Sequence, residues 1–120
     1  MNTTAIDHVC LLVSDLTAAK VYYEDVLRVT CRLHPGAEKT LMVENEQVHF
    51  FLKEVDAPRE FLRLQHLSLA VDDLEPVAAM LDARGIAYER GRFEGFAHRN
   101  YDWLEWRDPD GIRLECVVCF

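Results

Sequence analysis

The chain has 120 residues, of which 50% are hydrophobic and 28% are charged, a composition typical of one globular domain rather than a disordered segment. Its net charge of −8 disfavours nucleic acid or an anionic membrane as a partner, because both are bound by basic surfaces. The apolar runs are much shorter than the ~20 residues that span a bilayer. The first residues, MNTTAIDH, lack the basic segment and apolar core of a secretory signal, so we expect a cytoplasmic protein.

The first half of the chain is predicted to form a strand, a helix and three further strands. A short run rich in branched residues comes first, Ser14-Asp15 provides a helix start, and apolar residues then recur at helical spacing. His34-Pro35-Gly36 interrupts the next strand, because proline and glycine together mark a turn. The predicted elements are a strand over Ile6–Val13, a helix from Leu16 to about Leu27, and strands over Val29–Leu33, Lys39–Val43 and Val48–Lys53.

The second half follows a linker over Val55–Phe61 and repeats this order of elements. Asp72-Asp73 starts a helix with Pro76 in its first turn, where the missing N–H costs little, and Gly85 ends that helix. Asp108-Pro109-Asp110-Gly111 suits a type I turn between the last two strands. The predicted strands are Leu64–Val71, Ala87–Arg90, Tyr101–Arg107 and Ile112–Val118.

The two halves of the chain also align residue by residue. Residues 6–29 read IDHVCLLVSDLTAAKVYYEDVLRV and residues 64–86 read LQHLSLAVDDLEPVAAMLDARGI, which places His8 on His66. A weaker alignment of the late hairpins, based on the position of their turns, places Phe51 on Glu115. This duplication predicts two similar βαβββ modules, over about residues 4–55 and 62–120.

Alternation along the strands separates an apolar face from a polar face in each half. Side chains two residues apart on a strand share a face. The apolar faces suit packing against the helices. The opposite faces carry His8 on the first strand, His49 on the fourth, His66 on the fifth and Glu115 on the last. Polar residues gathered on the free side of a sheet indicate a binding site.

His8, His66 and Glu115 form a two-histidine, one-carboxylate set. Such a set suits Fe(II), Mn(II), Ni(II), Co(II) or Zn(II) and leaves coordination positions for substrate or oxygen. A single histidine on a strand is more often structural than a metal ligand. Candidates at corresponding positions of a duplicated unit favour metal binding instead, and we predict one divalent metal ion per site.

The chain resembles the vicinal oxygen chelate (VOC) superfamily in four segments that together extend over essentially its whole length. They are IDHVCLLVSDL from Ile6, YYEDVL from Tyr22, QHLSLAVDDL from Gln65 and DPDGIRLE from Asp108. The superfamily includes glyoxalase I, fosfomycin- and bleomycin-resistance proteins and extradiol dioxygenases. The resemblance implies an α+β fold of paired βαβββ modules that form a cupped mixed sheet. It also implies that His8, His66 and Glu115 are the metal ligands.

The resemblance further implies a homodimer with inter-subunit metal sites. In family members of this size, the site is often completed by a second chain. His8 then comes from one subunit, and His66 and Glu115 come from the other. The expected partner besides this second copy is a small-molecule substrate.

Several members of the superfamily use a fourth ligand on the fourth strand, where this chain has Phe51, which cannot bind a metal. His49 lies two residues away on the same face and is the candidate for a fourth ligand, with a cavity-lining role as the alternative. A three-ligand site favours dioxygenase-like chemistry on a small substrate with vicinal oxygens. The alternatives are a glyoxalase or lyase type of enzyme, a fosfomycin-transferase type, and a metal-free antibiotic-binding protein that resembles the bleomycin-resistance proteins.

Strand parity also selects the candidate substrate-binding residues. They are Cys10, Phe51, Ser68, Tyr101, Trp103, Glu105 and Arg113. Aromatic walls suit a flat, apolar substrate, and Arg113 is either an anchor for an anionic group or an ordinary surface charge. His98 lies in a glycine-bounded loop that is either a lid or an exposed loop.

Cys116-Val117-Val118-Cys119 has the CxxC spacing of a redox or zinc motif. Side chains three residues apart on a strand point to opposite faces, so these two thiols are not expected to meet. We predict that all four cysteines are reduced and that Cys116 and Cys119 are structural.

Overall fold

The computed structural model describes residues 1–95, 97 and 99–120. The chain divides into two compact units, residues 1–62 and 63–120. No helix within the described residues is long and apolar enough to cross a membrane. His98, which was predicted to belong to a lid or an exposed loop, lies outside the described residues.

The first unit has the order βαβββ followed by a short helix. Its elements are β1 (Cys10–Val13), α1 (Leu16–Leu27), β2 (Thr30–Leu33), β3 (Thr40–Glu44), β4 (His49–Glu54) and α2 (Arg59–Leu62). The strands lie in the order β1-β4-β3-β2, with β1 parallel to β4 and the other pairs antiparallel. Helix α2 was not predicted and occupies the end of the expected linker.

Helix α1 begins and ends where the sequence predicts. The side chain of Asp15 caps it, because Oδ1 accepts a hydrogen bond from the backbone N–H of Ala18 at 2.9 Å. Arg28 follows in the left-handed conformation with φ of 56°, which terminates the helix. Tyr23 and Val26 on its inner face are buried, and the helix packs against β2, β3 and β4.

The second unit repeats the βαβββ order. Its elements are β5 (His66–Ala70), α3 (Glu75–Ala83), β6 (Glu89–Phe93), β7 (Tyr101–Arg107) and β8 (Arg113–Cys119). The strands lie in the order β5-β8-β7-β6, with β5 parallel to β8. The predicted paired βαβββ modules are therefore confirmed. Their hydrogen bonds join the strands into two four-stranded mixed sheets, where a single sheet was expected.

Two glycines end elements of the second unit as predicted. Gly85 has φ of 65°, and the next residue, Ile86, donates its N–H to the carbonyl of Leu81 at 2.9 Å, which closes α3. Gly111 has φ of 83° and donates its N–H to the carbonyl of Asp108 at 2.9 Å. The predicted turn over residues 108–111 is thereby confirmed, and it sets the pairing of β7 with β8.

Burial follows the predicted alternation closely in β1 and β4 and less closely in β8. Leu11 is buried in β1 and Phe50 in β4, while Cys10 is exposed. In β8, residues 114–117 are all buried, so Glu115 of the polar face is buried with its apolar neighbours. A carboxylate in that position needs polar partners, because burying an unpaired charge is costly.

Three predicted strands have an end that differs from the structure by two or more residues. Strand β1 begins at Cys10 rather than Ile6, β5 begins at His66 rather than Leu64, and β6 extends over Glu89–Phe93 rather than Ala87–Arg90. Strands β1 and β5 are edge strands, and each is hydrogen-bonded to a neighbour on one side only. Their ends are therefore held by fewer backbone hydrogen bonds than those of inner strands. His8 consequently precedes β1 instead of lying within it. The ladder reaches only the carbonyl of Val9, which accepts the N–H of Phe51 at 2.9 Å.

The four cysteines divide into two buried and two exposed thiols. Cys116 is buried and Cys119 is exposed, as the strand geometry predicted for the CxxC spacing, and Cys31 is buried while Cys10 is exposed. Burial raises the pKa of both Cys31 and Cys116 to about 11, with neighbouring glutamates adding to the effect. At neutral pH both buried thiols are therefore protonated, and the thiolate is the reactive form.

We therefore expect two of the four thiols to react rapidly with Ellman's reagent at pH 8 in the native protein, and the other two only after unfolding. Cys10→Ser and Cys119→Ser should each remove one equivalent of the rapid phase, whereas the control Cys31→Ser should leave that phase unchanged. Four equally rapid thiols would contradict the burial of Cys31 and Cys116.

Candidate metal and substrate site

The polar face of the second unit brings together predicted ligands and predicted substrate-binding residues. In the β5–β8 register, His66 lies opposite Arg113 and Ser68 lies opposite Glu115. In the β7–β8 register, Glu105 lies opposite Glu115. Directly opposed residues project to the same side of a sheet. The five side chains therefore share one face of three adjacent strands.

His66 and Glu115 form the closest pair of candidate ligands. His66 Nε2 lies 3.5 Å from Glu115 Oε1, and the carboxylate side chain is only 6% exposed whereas the imidazole is 40% exposed. Two ligand atoms bound at about 2.1 Å to one tetrahedral ion lie about 3.4 Å from each other. The observed separation therefore fits two neighbouring ligands of one divalent ion, and Glu115 supplies a charge that such an ion neutralises.

Arg113 lies between two carboxylates on this face. Its Nε donates to Glu105 Oε2 in a close ion pair, and its Nη2 is 3.7 Å from Glu115 Oε2. The two oxygens of Glu115 consequently face different partners, Oε1 towards His66 and Oε2 towards Arg113. The network accounts for how the buried carboxylate is tolerated in a largely apolar strand.

Tyr101 and Trp103 lie on β7 on the same side as Glu105, as the alternation predicted. Trp103 is opposite Gly91 in the β6–β7 register, and a Cβ at position 91 would lie 2.7 Å from Trp103 Cζ2. A larger residue at position 91 would displace the indole. Tyr101 stacks against its neighbour Phe93 with ring centroids 5.5 Å apart.

The corresponding face of the first unit carries His8, His49 and Phe51. The His8 ring is centred 4.5 Å from the Phe51 ring and 5.7 Å from the His49 ring. His8 Nδ1 is 2.7 Å from Asp7 Oδ2, and this hydrogen bond lowers the pKa of the Asp7 carboxyl. Because Nδ1 is engaged, Nε2 is the nitrogen that His8 can offer to a metal ion. Cys10 lies opposite Phe51 and is exposed on the same face.

His34 is part of this cluster, although it was not among the predicted site residues. Its ring is centred 5.3 Å from the Phe51 ring, and its Nδ1 accepts the N–H of Gly36 at 2.9 Å. Arg32 lies opposite Met42, and Met42 lies opposite Phe51. His34 comes two residues after Arg32, and its N–H donates to the carbonyl of Thr40 at 2.9 Å, so the alternation of β2 continues to His34 and places it on the face of Phe51.

The register confirms the alignment of the two halves at their most informative position. Cys10 corresponds to Ser68 in the repeat; Cys10 pairs with Phe51, and Ser68 pairs with Glu115. Phe51 and Glu115 are therefore equivalent. A histidine contacts an aromatic ring in the first unit, whereas the equivalent histidine faces a carboxylate in the second.

No group of three or more His, Cys, Asp or Glu side chains that could hold a metal ion is assembled within the described residues. His66 and Glu115 therefore lie together without a third such side chain among the residues that the structure describes. The second unit has two surface cavities with volumes of about 480 Å³ and about 520 Å³. Neither is lined by His66 or Glu115, and of the predicted site residues only Glu105 lines one of them, the larger. The polar face, and not these cavities, carries the candidate ligands.

The duplicated βαβββ architecture and the paired polar faces define a class of proteins built from two such units. The chain matches the family model of the Glyoxalase/Bleomycin resistance protein/Dioxygenase superfamily over residues 5–116, and it belongs to that family. The predicted membership in the VOC superfamily is thereby confirmed. No match was found among curated protein sequences.

Solved structures with different activities share this fold. Lactoylglutathione lyase from Agrobacterium tumefaciens is 20% identical with a TM-score of 0.76, and the match covers 98% of this chain and 96% of that chain. The antibiotic-binding protein TnmS3 from Streptomyces sp. CB03234 is 22% identical with a TM-score of 0.74, covering 100% and 99%. The fosfomycin resistance protein FosX from Listeria monocytogenes, in complex with Mn(II) and sulfate, is 12% identical with a TM-score of 0.70, covering 98% and 91%. These likenesses establish the fold.

Proposed function

We propose that this protein is a divalent-metal-dependent enzyme of the VOC superfamily. In this proposal His8, His66 and Glu115 hold one ion, which is Fe, Mn, Ni, Co or Zn. The single observation that carries the proposal is the separation of 3.5 Å between His66 Nε2 and the buried Glu115 Oε1. An imidazole nitrogen and a carboxylate oxygen at this separation suit two neighbouring ligands of one divalent cation.

His8 is the third ligand of the proposed set. Its hydrogen bond to Asp7 fixes the ring through Nδ1 and leaves Nε2 available, as is usual for histidines that bind metals. His49 is the candidate for a fourth ligand, because its ring lies 5.7 Å from that of His8. Its alternative role is to line the substrate cavity with Phe51.

When bound, the ion would act as a Lewis acid towards two adjacent oxygens of a substrate. Phe51 offers no ligand atom, so the protein leaves coordination positions open for the substrate. Tyr101 and Trp103 present flat apolar surfaces that would orient an aromatic or similarly flat substrate. This combination favours dioxygenase-like chemistry on a small substrate with vicinal oxygens. A lyase of the glyoxalase type and a fosfomycin-transferase type are the alternatives among enzymes of this fold.

Metal-free binding of a small molecule is the second candidate function. The observation that favours it is the ring cluster of the first unit, in which His8, His34 and His49 surround Phe51. Such a surface could hold a flat ligand by stacking alone. TnmS3, which has the same fold, is an antibiotic-binding protein.

The same proposal includes a homodimer with inter-subunit metal sites. In it, His8 of one chain completes the site formed by His66 and Glu115 of the other. Dimers of this kind are implied by the family resemblance.

Elemental analysis of protein purified without added metal tests the proposed function. We expect close to one divalent ion per chain in the native protein and almost none in His66→Ala, with His34→Ala as a control that keeps its metal. Occupancy should fall as the pH drops below about 6, because a histidine must be neutral to bind a metal. Iron would favour dioxygenase chemistry, and nickel or zinc would favour the lyase alternative. A metal-free native protein that does not take up any of these ions would contradict the proposal and favour the binding protein.

A further inference from the structure

Glu115 has two oxygens with different surroundings, and the difference bears on how it can bind a metal. Oε1 lies 3.5 Å from His66 Nε2, while Oε2 lies 3.7 Å from Arg113 Nη2. The carboxylate is 6% exposed, so water does not compete strongly for either oxygen. A carboxylate held by a guanidinium on one oxygen has the other oxygen free for a second partner.

Arg113 is itself fixed, because its Nε makes a close ion pair with Glu105 Oε2 on the adjacent strand. Glu105 lies directly opposite Glu115 in the β7–β8 register, and Arg113 lies two residues before Glu115 on β8. From that position the side chain of Arg113 reaches both carboxylates. Its side chain is 37% exposed and that of Glu105 is 18% exposed. A planar guanidinium can bind two carboxylates at once in fixed directions, which the ammonium of lysine cannot match.

We infer that Arg113 is a positioning residue for the metal ligand Glu115, and that Glu105 is its anchor. Arg113 holds Oε2 so that Glu115 binds the ion through Oε1 alone, next to His66. This inference rests on the proposed function, since it concerns a ligand of the proposed metal site. It gives Arg113 a structural role in place of the two earlier alternatives, an anchor for an anionic group or an ordinary surface charge.

Arg113→Met should change metal affinity in opposite directions depending on whether Arg113 positions Glu115 or only repels the ion. Arg113 is a cation close to the proposed ion, so loss of its charge would by itself tighten metal binding. If Arg113 positions Glu115, its loss should instead weaken binding, by roughly 10- to 100-fold as for other groups that orient ligands. Arg113→Lys should restore part of the affinity, because an ammonium can keep one of the two contacts with the carboxylates.

The experiment measures the Co(II) dissociation constant and the infrared carboxylate stretches of the native protein and its variants. Arg90→Met is the matched control, because Arg90 lies in the same sheet on β6, opposite the buried Leu104, and pairs with Glu75. We expect Arg113→Met to bind Co(II) 10- to 100-fold more weakly, with the infrared signature of Glu115 changing from one-oxygen to two-oxygen binding. Arg90→Met should stay within about twofold of the native protein, and circular dichroism should be the same for all variants.

The possible failures are distinguishable. A native protein that binds no divalent ion overturns the proposed function and, with it, this inference. A native protein that binds Co(II), together with an Arg113→Met variant that binds it equally or more tightly, overturns the inference alone. Equal weakening in Arg113→Met and Arg90→Met also overturns it, because the weakening would then not be specific to Arg113.

Discussion

Mixing the His8→Ala and Glu115→Ala proteins should restore metal binding that neither variant has alone. In the proposed homodimer, each site takes His8 from one chain and His66 and Glu115 from the other. A heterodimer of the two variants then has one site that lacks both altered ligands and one that is complete. Equimolar exchange should therefore recover about a quarter of the native metal content, since half of the dimers are mixed and each has one intact site of two.

The control for this experiment is a mixture of His66→Ala with Glu115→Ala. Both altered residues belong to the second unit, so no combination of these chains yields a complete site, and no metal should be recovered. Metal content is measured after exchange at low denaturant concentration and removal of loosely bound ions. Recovery in neither mixture would contradict the inter-subunit site and leave a site within one chain, whereas equal recovery in both would show that the assay does not report intact sites.

Two polar partners explain how the carboxylate of Glu115 is buried. A carboxylate that is 6% exposed in an inner strand is costly unless it is paired. Arg113 and His66 supply that pairing in the second unit. The first unit has the apolar Phe51 at the equivalent position, so a carboxylate at this point is not a requirement of the fold.

Much of the fold could be predicted because local signals and burial agree. Asp15 and Gly85 mark the ends of helices, and the turn over residues 108–111 follows from its proline, aspartates and glycine. The parity of β1 and β4 is also clear, because alternate residues are apolar. These signals depend on the chemistry of a few neighbouring residues, so one sequence is enough to interpret them.

The boundaries that were wrong depend on contacts that are distant in sequence. Leu64 and Gln65 look like strand residues, yet β5 begins at His66 because an edge strand is paired on only one side. Helix α2 is a single turn that begins just after Pro58, which the linker composition concealed. The contact of His34 with Phe51 was missed because the predicted strand ended at Leu33, although the alternation of β2 continues to His34.

The site could be predicted in part for the same reason. Duplication related His8 to His66 and Phe51 to Glu115, and the register of Ser68 with Glu115 supports that alignment. The family resemblance implied Glu115 as a ligand beside the two histidines. The link from Glu105 through Arg113 to Glu115 could not be foreseen, because parity places all three on one face without showing which side chains meet. That link needed the side-chain distances.

The equivalence of Phe51 and Glu115 leads to a gain-of-ligand prediction. Phe51→Glu should place a carboxylate beside His8 in the first unit, as Glu115 lies beside His66 in the second. The Phe51 ring is centred 4.5 Å from the His8 ring and is half-buried, so a glutamate side chain fits a space already occupied by a larger group. If His8 is a metal ligand, a fourth ligand should then be available, and metal affinity should rise by about tenfold or more.

The same substitution should lower any activity that needs an open coordination position, because the new carboxylate occupies it. The measurement is the dissociation constant for Co(II) or Zn(II) by competition with a chelator, together with the Co(II) absorption spectrum, which reports coordination number. Phe51→Leu controls for loss of the aromatic ring, and Phe51→Gln controls for a polar side chain without charge. If Phe51→Glu binds the ion no more tightly than Phe51→Leu, then position 51 does not face the metal and the equivalence of the two units does not extend to the site. Tighter binding with an unchanged cobalt spectrum would mean that the added charge acts from a distance rather than as a ligand.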